Sequence, residues 1–559
     1  MADKETGPDG GDLAASIASG YAFDGPVLEV GALVVDGQGR PDAKVRIPLR
    51  MLNRHGLVAG ATGTGKTVTL QVLAEQLSAQ GVPVFLADIK GDLTGMASPG
   101  EAGDKVKERA ASVGADWAAA GCPTEFFALG GEGEGVPLRA TVTDFGPTLL
   151  SKVLDLNQTQ ESSLGLIFHY ADTAGLPLLD LKDLRAVIQF LTSAEGAEEL
   201  KGVGGLSKAT AGVILRNVVN LEAQGADQFF GEPQFDPADL LRTTIQDGRG
   251  VVSILELPRL QDRPALFSTF LMWLLAELFQ EMPEVGDADR PKLVFFFDEA
   301  HLLFKDASKA FLSAVTQTVR LIRSKGIGVF FVTQTPKDVP EDVLGQLGAR
   351  IQHALRAFTP NDAKALKATV STFPYSEYDL EEVLTQLSIG EAVVTVLSDK
   401  GAPTPVAWTR LRPPQSRMGP SDPALVQQII TGSQLNGKYG QAVDRESAYE
   451  ILAARMAEPE PEPAPAATPE PAPAQQAPTY YEPLPPYDPI QDPLPPPSRS
   501  RKSSSGSSRS TSTRSRRSTK SSEPDNMLED MLLSVGTSLG NTLAKKIERG
   551  LFGTARRRR

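Results

Sequence analysis

The stretch from Arg54 to Thr67 constrains the fold more than any other part of the chain; it reads Arg-His-Gly-Leu-Val-Ala-Gly-Ala-Thr-Gly-Thr-Gly-Lys-Thr. A short apolar strand leads into a glycine-rich turn that fits G-x-x-x-x-G-K-[ST], and a helical pattern follows at once. Glycines let successive backbone N–H groups point at one phosphate, and the helix N-terminus adds its positive dipole end. The predicted nucleotide-contacting residues are Gly60, Ala61, Thr62, Gly63, Thr64, Gly65, Lys66 and Thr67.

The last two residues of this loop carry side chains with defined chemistry. In such a loop the lysine, here Lys66, reaches the β- and γ-phosphates, and the hydroxyl of Thr67 binds Mg²⁺. We therefore expect ATP and Mg²⁺ as ligands.

The composition limits the remaining possibilities. The single cysteine, Cys122, excludes an intramolecular disulfide framework and a Cys-rich zinc site, which favours a reducing, cytoplasmic location. No apolar stretch reaches the ~18 residues of a membrane span, and no secretory signal is recognisable. The net charge of −13 argues against a wholly basic surface, although a ring-shaped motor can confine its basic groups to a channel.

Alternating apolar strands and helices predict an α/β fold with a mostly parallel sheet. A run of mostly helical pattern interrupts it and carries no catalytic signature. The predicted segments are a flexible leader (1–22), a short N-terminal β-element (23–53), an ATPase core (54–143 and 242–413), a helical insertion (144–241) and C-terminal helices (414–456).

The second half of the site follows two later strands. The apolar run 292–297 ends in Asp298-Glu299, which predicts one carboxylate that holds Mg²⁺ and a second, Glu299, that activates the attacking water. Gln334 lies at the tip of the next strand, 328–333, where it can contact the γ-phosphate or that water. The predicted metal ligands are thus Thr67 and Asp298, and Glu299, Lys66 and Gln334 are predicted to be catalytic.

The C-terminal region has a different composition. Residues 457–525 combine a Pro-rich stretch with a basic Ser/Arg tract, which predicts a disordered linker. In 526–559, apolar residues three or four positions apart predict an amphipathic helix before a basic terminus. Such a helix must dock on the core, bind a protein partner or lie on an anionic membrane surface.

Taken together, five motifs resemble one known family. They are Arg54-His55 before the loop, Asp88-Ile-Lys-Gly after the second core strand, Phe-Phe-Asp298-Glu299-Ala-His, Arg323-Ser-Lys-Gly-Ile-Gly, and Thr333-Gln334. This combination is similar to the HerA-type ATPases of the HerA/FtsK group, and to its bacterial HerA-like helicase branch.

The resemblance, which spans roughly residues 26–413, implies more than the motifs alone. It implies a RecA-like core, a homohexameric ring that pumps DNA, and ATP sites at subunit interfaces completed by arginines of the neighbour. Arg54 and Arg323 match the positions of those arginines. Both are therefore candidate catalytic residues.

Three functions remain open at this point. The leading hypothesis is an ATP-dependent translocase or helicase on double-stranded DNA. A second is an NTPase that acts on protein or envelope assemblies, and a third is a nucleotide-binding scaffold with little turnover. The presence of both Glu299 and Gln334 disfavours the scaffold, whereas no motif separates DNA from protein as the substrate.

Overall fold

The computed structural model describes residues 10–456, apart from 132, 201, 203, 259–263, 287 and 305–308. The predicted linker at 457–525 and the predicted amphipathic helix at 526–559 lie outside the described residues.

A single sheet of 12 strands forms the centre of the described part of the chain. The strands are β1 (Val27–Val35), β2 (Gln38–Pro48), β3 (Gly56–Ala59), β4 (Val84–Asp88), β5 (Thr124–Leu129), β6 (Val136–Leu138), β7 (Val252–Glu256), β8 (Leu293–Phe297), β9 (Ile327–Thr333), β10 (Ala349–Gln352), β11 (Glu391–Thr395) and β12 (Ala407–Leu411).

Helices cover both faces of this sheet. They are α1 (Gly10–Gly20), α2 (Lys66–Ala79), α3 (Asp104–Ser112), α4 (Val142–Val153), α5 (Gln158–Thr173), α6 (Leu181–Thr192), α7 (Ala194–Glu199), α8 (Lys208–Ala223), α9 (Pro264–Glu281), α10 (His301–Phe304), α11 (Lys309–Ile322), α12 (Glu341–Leu344), α13 (Pro360–Val370), α14 (Leu380–Gln386), α15 (Pro423–Gly432), α16 (Gln434–Tyr439) and α17 (Ala448–Met456).

The strand order is β2-β1-β12-β11-β10-β3-β9-β8-β4-β7-β5-β6. Neighbours from β10 to β6 are parallel, and those from β2 to β10 are antiparallel. The structure thus confirms the predicted α/β class, with a mostly parallel, RecA-like core. Because β9 separates β3 from β8, the carboxyl ends of these three strands meet at one edge, where ligands of parallel sheets bind.

The predicted helical insertion supplies one of the two faces. Helices α4 to α8 follow β6 and pack with α9 on a large apolar core whose centre includes Phe145, Phe190 and Trp273, all buried. The indole N–H of Trp273 donates to Asp144 across 3.1 Å. This face is therefore continuous with the core of the sheet.

The N-terminal part differs from its prediction. Where a flexible leader was expected at 1–22, α1 packs against the opposite face with Ile17 and Tyr21 fully buried. The Tyr21 hydroxyl lies 2.9 Å from the carbonyl of Val394 and 2.8 Å from that of Pro405. The expected short β-element at 23–53 is likewise an edge of the main sheet, because β1 pairs with β12.

The C-terminal helices pack on both faces. Val426 of α15 is buried in the same core as α1, whereas Tyr439 of α16 and Leu452 of α17 belong to the core that contains the insertion. Among the described residues, none of the helices combines the length and apolarity needed to cross a membrane.

Candidate active site

Three glycines of the predicted phosphate loop have positive φ angles: 153° at Gly60, 79° at Gly63 and 112° at Gly65. A Cβ added to Gly60 would lie only 2.4 Å from the Cβ of His353, and one added to Gly65 would contact Gly390 at 3.5 Å. A side chain at either position would therefore strain the backbone, and at Gly60 it would also clash. Glycine allows the loop to turn tightly over the end of β10.

Backbone hydrogen bonds anchor the start of the loop. The N–H of Gly60 donates to the carbonyls of Thr333 and Gln334 at 3.2 and 3.1 Å, and the N–H of Ala61 donates to Ala354 at 2.8 Å. Within the described part of the chain, the amides of 63 and 65–67 donate to no protein acceptor. These donors surround the N-terminus of α2, which suits an anion such as phosphate.

Lys66 points back over the same loop. Its side chain is buried, and its ammonium donates to the carbonyls of Gly60 at 2.7 Å and Ala61 at 3.2 Å. Burial lowers the pKa of Lys66, and Glu299 and Asp298 oppose that shift. The phosphate loop follows β3 and the two carboxylates follow β8, so both lie at the carboxyl edge of the sheet.

The Asp-Glu pair follows β8 directly. Asp298 is 0% exposed, and its Oδ1 accepts the N–H of Glu299 at 2.9 Å. Glu299 has φ of 47°, a left-handed conformation that costs about 1–2 kcal/mol outside glycine. The N–H of Ala300 donates to Val332 of β9 at 2.9 Å, which fixes this turn. The Glu299 carboxylate is thereby held at the carboxyl edge of the sheet.

Lys90 is a site residue that sequence reasoning missed. Its ammonium lies 2.6 Å from Oε1 of Glu299 and 3.5 Å from Oδ2 of Asp298. Burial works to lower the pKa of Lys90, but the two carboxylates outweigh it and raise that pKa. Lys90 belongs to the Asp88-Ile-Lys-Gly motif after β4, and β4 pairs with β8. The motif is recognisable in the sequence, but only the pairing of β4 with β8 shows that Lys90 lies beside Glu299.

Asp88 itself has a structural role. It accepts the N–H groups of Lys90, Gly91 and Leu93 at 3.1, 2.8 and 2.8 Å. Burial raises the pKa of Asp88 to about 6, although hydrogen bonds from the backbone act to lower it. Asp88 thus shapes the turn that presents Lys90.

The second oxygen of Glu299 is available for chemistry. Oε2 lies 3.2 Å from Nδ1 of His301, within ion-pair distance, yet neither atom makes a hydrogen bond to any residue that the structure describes. The side chain is only 11% exposed. A buried carboxylate oxygen with an open acceptor position can take a proton from water.

Gln334 lies between the two halves of the site. It follows β9, which runs between the loop strand β3 and the acidic strand β8. Its carbonyl accepts from the loop, and its side chain is exposed at this edge. The position is compatible with the predicted contact to the γ-phosphate or the attacking water.

His353 is a second residue of the site region without a predicted role. It is fully buried beneath the loop, with Nε2 2.9 Å from the hydroxyl of Thr69. Burial lowers its pKa to about 4, and the charge of Lys66 adds to the shift. A neutral imidazole here supports the loop without competing with Lys66 for phosphate.

The two candidate arginines lie at the other edge of the sheet. Arg54 ends a turn just before β3, and Arg323 precedes β9. Burial is the main cause that lowers the pKa of His55, and the charge of Arg323 lowers it further. Arg323 is therefore close to His55, the residue that follows Arg54. With 7 residues in β9 and a rise of about 3.3 Å per residue, roughly 20 Å separates this edge from Gln334. The structure does not bring either arginine to the loop of its own chain.

The residues present fit ATP and Mg²⁺. Free loop amides and Lys66 suit a triphosphate, and Thr67 with buried Asp298 supplies the oxygen ligands that Mg²⁺ prefers. A phosphate loop next to a buried Asp-Glu pair, on a RecA-like sheet, defines a P-loop NTPase.

Comparison with known proteins gives the particular family. The chain belongs to the family described as Helicase HerA-like C-terminal, which matches residues 34–559. The HerA-like resemblance predicted from the motifs is thereby confirmed.

Two curated proteins are similar to parts of the chain. The probable helicase MJECL08 of Methanocaldococcus jannaschii is 30% identical over 153 residues, which are 26% of this chain and 28% of that protein. The DNA double-strand break repair helicase HerA of Sulfolobus acidocaldarius is 20% identical over 372 residues, 63% of this chain and 64% of that protein. The chain therefore spans less than two thirds of the length of these relatives.

Solved structures with a similar chain path include TrwB and VirB4. The plasmid coupling protein TrwB, in complex with a non-hydrolysable ATP analogue, has a TM-score of 0.48 at 17% identity, over 76% of this chain and 98% of that one. VirB4 of Thermoanaerobacter pseudethanolicus has a TM-score of 0.42 at 16% identity, over 69% and 97% of the respective chains.

Proposed function

We propose that this protein is a Mg²⁺-dependent ATPase of the HerA/FtsK motor type that translocates along or unwinds double-stranded DNA as a homohexamer. The observation that supports it most is the position of Glu299, whose buried carboxylate follows β8 at the same carboxyl edge of the sheet at which the phosphate loop follows β3. Membership of the HerA-like family and the similarity to a named DNA repair helicase support the motor and its DNA substrate.

Each residue has a role in this proposal. The loop amides and Lys66 bind the β- and γ-phosphates, and Thr67 and Asp298 hold Mg²⁺, which neutralises charge on the phosphates. Glu299 accepts a proton from the water that attacks the γ-phosphorus in line with the leaving oxygen, and Gln334 orients that water. An arginine of the neighbouring subunit, Arg54 or Arg323, stabilises the developing charge.

The test is the steady-state ATPase rate of the full chain, with and without double-stranded DNA, across a salt series. We expect turnover that requires Mg²⁺, is stimulated by DNA and loses this stimulation as salt rises, since phosphate contacts are screened. Glu299→Gln should abolish turnover but keep nucleotide binding, and Lys66→Ala should weaken both. Glu101→Gln, at an exposed loop position, serves as the matched control.

Two results would count against the proposal. Near-wild-type turnover in Glu299→Gln would show that Glu299 is not the base that accepts a proton from the attacking water. ATP turnover that DNA leaves unchanged at every salt concentration would instead point to a protein substrate.

A further inference from the structure

Phe358 is an exposed aromatic residue in the segment that joins β10 to α13. Its side chain is 83% exposed, whereas the other phenylalanines among the described residues are buried or half-buried. A single exposed apolar side chain is common on protein surfaces. The position of Phe358 needs an explanation because the local backbone is fixed and because nearby residues carry cations without partners.

The turn before α13 fixes the backbone of Phe358. The N–H groups of Phe358 and Thr359 donate to Oδ2 of Asp362 at 3.2 and 2.8 Å, and the N–H of Asp362 donates to the hydroxyl oxygen of Thr359 at 3.2 Å. In such a capping box, the residue before the N-cap commonly packs on the residue at the fourth helical position. Here that residue is Ala363, which is itself exposed and too small to cover a phenyl ring. The start of the helix therefore presents the ring to solvent.

Three cations lie close to Phe358 in the chain. Arg356 is two residues before it, and Lys364 and Lys367 follow on α13, three positions apart and thus on one face of the helix. All three side chains are exposed, and none forms an ion pair with a carboxylate of the residues that the structure describes. The start of α13 therefore combines an aromatic ring with unpaired positive charges.

This surface is connected to the phosphate loop. The N–H of Ala61 in the loop donates to the carbonyl of Ala354 at 2.8 Å, and the N–H of Leu355 donates to the carbonyl of Leu384 at 2.9 Å. Phe358 is only three residues beyond Leu355. A ligand bound at Phe358 is therefore linked to the loop by a short, hydrogen-bonded segment.

We infer that the start of α13 is a contact surface for single-stranded DNA, in which Phe358 stacks on an unpaired base while Lys364 and Lys367 bind phosphates. Aromatic rings stack on bases of any sequence, and cations along the backbone supply the remaining affinity. Base pairs inside a duplex present no free face to a ring, so this surface fits a strand that has been separated. The inference rests on the proposed function, because it takes DNA as the substrate, and it selects unwinding as the mode of action.

The test measures the affinity of the full chain for a labelled oligothymidylate strand and for a blunt duplex of the same length. Fluorescence anisotropy across a salt series gives both affinities, with Mg²⁺ and a non-hydrolysable ATP analogue present. Phe358→Ala removes the ring, and Phe358→Trp keeps a stacking surface. Tyr375→Ala, at a side chain that is 94% exposed, is the control for the loss of an exposed aromatic residue.

We expect Phe358→Ala to bind oligothymidylate roughly tenfold more weakly, which is the usual effect of removing one stacked ring. Its affinity for the duplex and its ATP turnover without DNA should change little. Phe358→Trp and Tyr375→Ala should bind both forms of DNA like the unaltered protein.

A second pair of variants tests the phosphate contacts. Lys364→Gln should weaken the binding of both forms of DNA and lower the slope of log affinity against log salt by about 0.7 for the single strand. Lys208→Gln, at an exposed position of α8, is the matched control and should leave the slope unchanged.

Equal affinity of Phe358→Ala and the unaltered protein for oligothymidylate would overturn the inference. Dissociation of Phe358→Ala into smaller species in sedimentation would also overturn it, because the ring would then contact a second copy of the chain. If duplex DNA still stimulated turnover in either case, the proposed function would stand without this surface. Single-strand binding through Phe358 in a protein whose turnover ignores DNA would refute the proposed function and leave the surface standing.

Discussion

Lys90 supplies the positive charge beside two carboxylates that are otherwise almost inaccessible to water. Asp298 and Glu299 are 0% and 11% exposed in their side chains, and their negative charges repel each other. The raised pKa of Lys90 shows that the attraction outweighs its burial. The ion pair fixes Oε1 of Glu299, whereas Oε2 has no hydrogen-bond partner among the described residues.

We therefore predict that Lys90→Met lowers kcat by roughly 10- to 100-fold, because a misplaced base loses that much when it shifts by about 1 Å. Lys66 is unaltered, so KM for ATP should change little. The measurement is kcat and KM for ATP of the variant and of the unaltered protein.

Lys90→Arg is the control, because it keeps the positive charge beside the two carboxylates and should retain most of the turnover. A kcat in Lys90→Met equal to that of the unaltered protein would mean that Lys90 does not position the Glu299 carboxylate for catalysis. A raised KM for ATP with unchanged kcat would instead assign Lys90 to nucleotide binding.

At the scale of elements, the strands that carry the site were predictable, and α1 was not. β8 and β9 are continuous apolar runs that end in polar residues. This pattern is typical of strands in a parallel sheet, which are buried on both faces. The sequence of α1, Gly-Gly-Asp-Leu-Ala-Ala-Ser-Ile-Ala-Ser-Gly, is rich in glycine and serine, which have weak helix propensity. Tertiary packing stabilises this helix, and packing is not visible in a local pattern.

Because a local pattern does not show packing, the sequence also did not predict the role of Lys90 or the place of the N-terminal strands in the main sheet. The order β9-β8-β4 brings Lys90 to Glu299, and the pairing of β1 with β12 joins residues far apart in the sequence. Motif spacing identifies which residues carry chemistry. It does not give the order of strands in the sheet, and therefore not the neighbours of those residues.

The packing of α1 leads to a stability prediction. Ile17 is 0% exposed between α1 and the sheet, so Ile17→Ala should lower the free energy of unfolding by about 2–4 kcal/mol through lost burial and a cavity. Ser16→Ala, at the adjacent exposed position, should change it by less than about 0.5 kcal/mol. Chemical denaturation of both variants, monitored by circular dichroism, measures the difference. Equal stability of the two variants would show that α1 detaches without cost in solution.

For the whole molecule, the important fact is that the two halves of the proposed catalytic site lie on opposite edges of one sheet. The loop, Asp298 and Glu299 are at the carboxyl edge, and Arg54 and Arg323 are at the amino edge. A side chain cannot cross the roughly 20 Å between them. A second copy that presents its amino edge to the loop would complete the site, and head-to-tail contacts of this kind form a ring when the rotation between successive copies closes.

Subunit mixing tests this arrangement. Arg323→Ala alone should lower ATP turnover by about 1000-fold, the usual effect of removing a catalytic arginine, and Glu299→Gln alone should abolish it. In randomly mixed rings, about a quarter of the interfaces combine an intact loop half from the first variant with an intact arginine from the second. Turnover should therefore recover to about that fraction of the wild-type rate. Arg320→Ala, exposed on α11, is the control and should be active alone. No recovery on mixing, with both variants folded and oligomeric, would place Arg323 outside the neighbour's site.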